Sequence, residues 1–83
     1  MRYVITYDLM KPGKDYEPLW KALASIGAVR ILASVWLVRR TGTTPKGIGD
    51  YLVGFMDAND RIFVTEVPDN YAYKDLLADP SRV

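Results

Sequence analysis

The chain has neither cysteine nor histidine among its 83 residues. The first absence excludes disulfides, thiol chemistry and cysteine-ligated zinc. The second removes the commonest general base and the commonest transition-metal ligand. Catalysis in such a chain falls to Asp, Glu, Lys, Tyr or Ser. A metal site would be built from oxygen donors, which favours Mg²⁺, Mn²⁺ or Ca²⁺. Charge of one sign is also scarce: 11 Lys and Arg against 10 Asp and Glu give a net charge of +1. That balance argues against binding nucleic acid through a global field and leaves only a local basic patch open. No apolar run is long enough to span a membrane, and the first residues read as a strand rather than a signal peptide. A cytoplasmic protein with no membrane partner is the expectation.

What is present is an ordinary globular composition, 49% hydrophobic and 25% charged, which argues against disorder. One domain of this size buries only roughly 60% of its unfolded surface, so self-association is a natural supplement to its core.

The opening stretch, Tyr3-Val4-Ile5-Thr6-Tyr7, is β-branched or aromatic throughout and reads as a mostly buried strand. It runs into Asp8 and then into a loop carrying Lys11, Pro12-Gly13 and Lys14. Asp15 is placed to cap a helix in which Tyr16, Leu19, Trp20, Leu23 and Ile26 form one apolar face, with Gly27 as the left-handed stop. Residues 28–40 are too β-rich for a helix and too long for one strand. They divide into a hairpin, 28–32 and 35–40, turning at Leu32-Ala33-Ser34. Thr44 and Pro45 begin a second helix with a stripe at Ile48, Tyr51, Leu52, Phe55 and Met56. Asp57 to Asp60 turn the chain into a last strand, Ile62 to Val67. The tail, residues 69–83, is expected as a short helix with Tyr73, Leu76 and Leu77 on one side, or as an added edge strand.

The order strand, helix, strand, strand, helix, strand is that of an α+β, ferredoxin-like βαββαβ sandwich over residues 1–68. Two helices would cover one face of an antiparallel sheet. Because the strands are apolar on both sides, the other face calls for a cover, and a second copy of the sheet would supply it.

Three features over about residues 3–67 resemble one family. The first strand ends in Tyr7-Asp8-Leu9, Ser34-Val35-Trp36 stands where Ser-Val-Phe is typical, and "DANDRIFVTEV" is similar to the last core strand. The family is that of the endoribonuclease-like CRISPR-associated adaptation subunit, the partner of the CRISPR integrase, with virulence-associated protein D among its relatives. The resemblance implies a homodimer whose sheets face each other, with an aspartate at the end of the first strand, here Asp8, brought to the dimer axis. There the two carboxylates would share Mg²⁺ or Mn²⁺ in a nuclease acting on RNA or DNA, while other members serve only as DNA-binding scaffolds. The chain departs from the pattern at Arg30-Ile31-Leu32-Ala33, where Arg and Gln are usual, and in its tail. These departures place it in a peripheral branch outside the CRISPR machinery.

Each candidate residue has two readings. Asp8 is either a metal ligand, since paired carboxylates need a cation or proton between them, or a cap for the following loop. Lys11 and Lys14 are either phosphate grips or a solvated turn, and Pro12-Gly13-Lys14 lacks the remainder of a P-loop. Arg30, Arg39 and Arg40 form either a stripe tracking a phosphate backbone or a charged, aggregation-resistant edge. Ser34 has no histidine to activate it and reads as a supporting hydrogen-bonding residue near the metal water. Trp20 and Trp36 read as core or dimer contacts. Asp57 and Asp60 read as turn residues, since a calcium loop would need a glycine and a distal glutamate. Two functions follow: a homodimeric, divalent-metal-dependent nuclease or toxin centred on Asp8, or a non-catalytic dimeric scaffold that binds nucleic acid or protein.

Overall fold

The computed structural model describes residues 1–83. Four strands and two helices follow one another as β1 (Arg2–Asp8), α1 (Glu17–Ser25), β2 (Val29–Leu32), β3 (Val35–Arg39), α2 (Pro45–Val53) and β4 (Arg61–Glu66). The strands form one sheet in the order β2-β3-β1-β4, antiparallel at every pairing. The molecule is therefore α+β, with a four-stranded antiparallel sheet and two helices.

Alternation along β1 sorts its side chains by face. Tyr3, Ile5 and Tyr7 are buried, and with Trp36 and Val38 of β3 they meet Leu19, Ala22 and Leu23 of α1 and Ile48 and Leu52 of α2 in one cluster. Both helices thus share a core with this first face. At the end of α1, Gly27 takes φ +85°, its N–H donates to Ala24 O, and the Ala28 N–H donates to Leu23 O. This pair of bonds is a Schellman stop, available to glycine because it has no Cβ to clash. At the other end Tyr16, not Asp15, occupies the N-cap position, but the Asp15 carboxylate accepts from the Glu17 N–H at 2.9 Å. Helix α2 begins as its sequence implies, with Thr44 Oγ1 accepting from the Gly47 N–H at 3.0 Å. It ends at Val53, so Phe55 and Met56 pack from beyond the helix rather than on it.

The hairpin turns at Ala33-Ser34, and the β2–β3 register shifts between Arg30 and Leu32. The second face carries Arg2, Val4, Thr6 and Asp8 of β1. The tail lies over its β2–β3 half. Leu37 is only 4% exposed there, and the tail runs as irregular backbone from Val67 into a single 3₁₀ turn, Pro80–Arg82. Neither the expected helix nor an edge strand forms. Asp75 sits at φ +54°, a left-handed conformation that interrupts a right-handed helix. Proline at 68 and 80 confines the remainder.

What ties the tail down is Arg2, itself 7% exposed. Its guanidinium donates to Pro80 O at 3.0 Å, to the Tyr71 hydroxyl at 3.3 Å and to Asp69 at 3.1 Å, and it lies 5.1 Å from the Tyr71 ring centre. The Leu77 N–H donates to Ile31 O at 2.9 Å. A cavity of about 360 Å³ remains between the tail and the sheet, walled by Val4, Leu37, Tyr71 and Leu76. The tail thus covers half of the face for which a second copy was the expected cover. No helix is long and apolar enough to cross a membrane.

Candidate functional site

Asp8 ends β1 opposite Arg61 of β4, and Thr6 stands opposite Phe63. Partners directly across an antiparallel pair share a face, so Asp8, Thr6, Arg61 and Phe63 lie together on the half of the second face that the tail does not reach. They line a shallow hollow of about 140 Å³ with Tyr7 and Ile62. Asp8 is exposed. Its carboxylate takes part in none of the chain's five ion pairs. The capping role weighed for it belongs instead to Asp60.

Asp60 accepts from the Met10 N–H at 2.6 Å, from the Asp57 N–H at 2.7 Å and from the Tyr16 hydroxyl at 2.8 Å. One carboxylate thereby joins the β1–α1 loop, the start of α1 and the turn before β4. Partial desolvation pushes its pKa up, but the backbone bonds from Met10 and Asp57, the Tyr16 hydroxyl and the charge of Lys14 outweigh this and hold it below 3.8. In the same contact, desolvation followed by the hydrogen bond to Asp60 raises the Tyr16 phenol above 10.0. The turn reading of Asp60 is right as far as it goes. Its long-range role carries no local signature, since its partners lie 44 and 50 residues away.

The cations named from the sequence do not converge on Asp8. Lys11 faces Asp57 at 3.6 Å, and Lys14 lies 5.4 Å from the Tyr16 ring centre. Arg39 and Arg40 stand at the far end of the sheet, where Arg39 pairs in register with Arg2. That is six residues from Asp8, about 20 Å at the rise of a strand. There Arg39 donates to Val83 O at 3.2 Å and Arg40 to Ile26 O at 3.3 Å. Both uses are structural, and no single stripe joins all five cations.

Arg30 takes part in a different assembly. It faces Trp36 across the hairpin, on the helix side, and its guanidinium lies 4.6 Å from the Trp20 ring centre and 5.0 Å from that of Trp36. The two indoles run nearly parallel, 6.3 Å apart. The Tyr7 hydroxyl accepts from Trp36 Nε1 at 2.9 Å and from Arg30 Nη2 at 3.2 Å, while Arg30 Nε is buried without a partner. Trp20 and Trp36 are therefore intrachain contacts that fasten α1 to the sheet through a stacked cation. Ser34 is exposed at the hairpin tip, and its carbonyl accepts from the Tyr7 N–H at 3.3 Å. Its backbone thus sits beside the last residues of β1.

None of the other residues named in advance lines the hollow at Asp8, and Ser34 reaches this end only through its carbonyl on the Tyr7 N–H. Arg61 and Phe63 join Asp8 instead. Finding them requires the β1–β4 register, which one sequence does not disclose. No group of three or more acidic side chains that could hold a metal ion occurs within the chain, and the nearby Asp60 carboxylate is taken up by the Met10 and Asp57 N–H groups and the Tyr16 hydroxyl. A hard cation such as Mg²⁺ is commonly held by one or two carboxylates, with water completing its six ligands. A pair of Asp8 side chains, one from each of two chains, would give such an ion two carboxylates where one chain offers one. No protein-family model matches this chain.

Proposed function

We propose that the protein is a homodimeric, divalent-metal-dependent nuclease whose reactive centre is the pair of Asp8 carboxylates, one from each protomer. The β-α-β-β-α-β order and the strand order β2-β3-β1-β4 support reading the fold as ferredoxin-like. The resemblance to the CRISPR-associated endoribonuclease-like proteins and virulence-associated protein D supports reading the reaction as cleavage of RNA or DNA. The observation that carries the proposal is the state of Asp8: an exposed carboxylate with no partner in its own chain, on the face left open beside Phe63. A carboxylate kept for structure would be hydrogen-bonded, as Asp60 is.

Within this reading each residue has a limited task. Asp8 from two chains would hold Mg²⁺ or Mn²⁺, which would supply Lewis acidity at a phosphodiester. Arg61, adjacent and free of ion pairs, is better placed to meet a phosphate oxygen or a second carboxylate than Lys11 or Lys14. Ser34, whose carbonyl accepts from the Tyr7 N–H, would support substrate or water through its hydroxyl. The test is cleavage of generic single- and double-stranded RNA and DNA with Mn²⁺ or Mg²⁺ and with chelator. Metal-dependent cleavage lost in Asp8→Asn supports the reading, and cleavage equal in wild type and Asp8→Asn ends it.

One observation favours the non-catalytic scaffold as a second reading. Lys11, Lys14, Arg30, Arg39 and Arg40 are all engaged inside the chain, so little free positive charge is left to draw a polyanion to the centre. Absence of binding to any nucleic acid, together with no cleavage under any metal, would select the protein-interaction form of that reading, and binding that weakens steeply with salt would select its nucleic-acid form.

A further inference from the structure

The open half of the second face carries three side chains with no intrachain task. Phe63 is 63% exposed, on the same face as Leu37, which the tail buries to 4%. Asp8 and Arg61 stand directly opposite each other on antiparallel strands, yet neither appears in an ion pair or a side-chain hydrogen bond. An acidic, a basic and a large apolar side chain thus lie side by side on one open sheet face. This combination is self-complementary. A two-fold axis lying above this face, parallel to the strands and over the line between positions 8 and 61, turns two copies face to face and sets each carboxylate against the opposite guanidinium, as an isologous contact requires.

We infer that this patch binds a second copy of the chain, with Asp8 of each protomer paired to Arg61 of the partner subunit and Phe63 supplying the apolar contact beside them. The inference rests on the dimeric reading above but not on its metal chemistry, and it gives Arg61 a definite role. Two carboxylates meeting at an axis repel unless positive charge lies between them. Two guanidiniums supply that charge without a metal. Because a carboxylate has two oxygens and about four acceptor positions, each Asp8 can accept from an arginine and still present an oxygen to a cation. Association is therefore metal-independent, and any metal binds to a dimer already formed.

The experiment is sedimentation equilibrium at neutral pH with chelator present, on wild type, Asp8→Arg and Arg61→Asp. Wild type is expected to dimerise. Each variant alone places like charges across the axis and is expected to associate about tenfold or more weakly. An equimolar mixture of the two variants re-forms both opposite-charge pairs and is expected to recover dimer near the wild-type level. That recovery also shows that both variants are folded. A wild-type dimer unaffected by either substitution, or a mixture that stays monomeric, overturns the Asp8–Arg61 pairing and leaves the dimeric reading in place. Wild type that stays monomeric at high concentration overturns both.

Discussion

Arg2 and Asp8 lie six residues apart on one strand and on one face of the sheet. Arg2 is nearly buried, with three hydrogen-bond acceptors and an aromatic ring around it. Asp8 is exposed and has no partner. The difference lies in the reach of the tail, which crosses Arg2, Val4 and Leu37 and stops short of Thr6, Asp8 and Phe63. A charge the chain has surrounded is part of the architecture, while a charge it has left alone on an otherwise satisfied surface is available for something outside the chain. The cost of each substitution should follow that division.

The largest effect is expected at the covered end. Arg2→Ala takes one of the two donors from Pro80 O, which keeps only the Val83 N–H, and the donor from the Tyr71 hydroxyl, and it removes the stem packed beneath the tail. The Asp69 contact adds little, because that carboxylate is 99% exposed. Urea unfolding should show a loss of about 2 kcal/mol, with the tail cut first in limited proteolysis. Equal stability of Arg2→Ala and wild type would erase the contrast between the two ends.

A smaller, pH-dependent effect is expected at Asp60, which stands near Asp8 but behaves like Arg2. Its folded pKa lies below the unfolded value of about 3.8. Its contribution is therefore present above that value and is lost as pH falls through the lower folded one. Acid titrations of wild type and Asp60→Asn, followed by circular dichroism, should differ at neutral pH and converge in strong acid. A constant gap across the range would contradict the role given to this carboxylate.

The smallest effect on stability is expected at the open end. Asp8→Asn and Phe63→Ser should each change the unfolding free energy by less than about 0.5 kcal/mol, measured under conditions where the chain is monomeric. A loss comparable to that of Arg2→Ala would mean that Asp8 has an intrachain task after all.

Much of this division could be read from the sequence on one side of the sheet and little on the other. The helix face announced itself: Tyr3, Ile5 and Tyr7 alternate, Leu19 and Leu23 recur at helical spacing, and Gly27 and Thr44 mark helix ends by well-understood local chemistry. Local rules suffice there because the interactions are short in sequence. The second face is settled by contacts between residues far apart. Arg2 meets Pro80 across 78 positions, Asp60 meets Met10 across 50, and the pairing of Asp8 with Arg61 depends on a strand register. Asp8 stood out because a carboxylate ends an apolar strand. Its neighbours could not, and the five cations named beside it were scattered or engaged by the fold.

In the proposed function Asp8 is a metal ligand completed only by a second chain. Calorimetric titration of Mn²⁺ into the wild-type protein tests this most directly, with Asp8→Asn as the control. One ion bound per two chains, and none bound by Asp8→Asn, is the expected result. One ion bound per chain, or the same binding by both proteins, would contradict it.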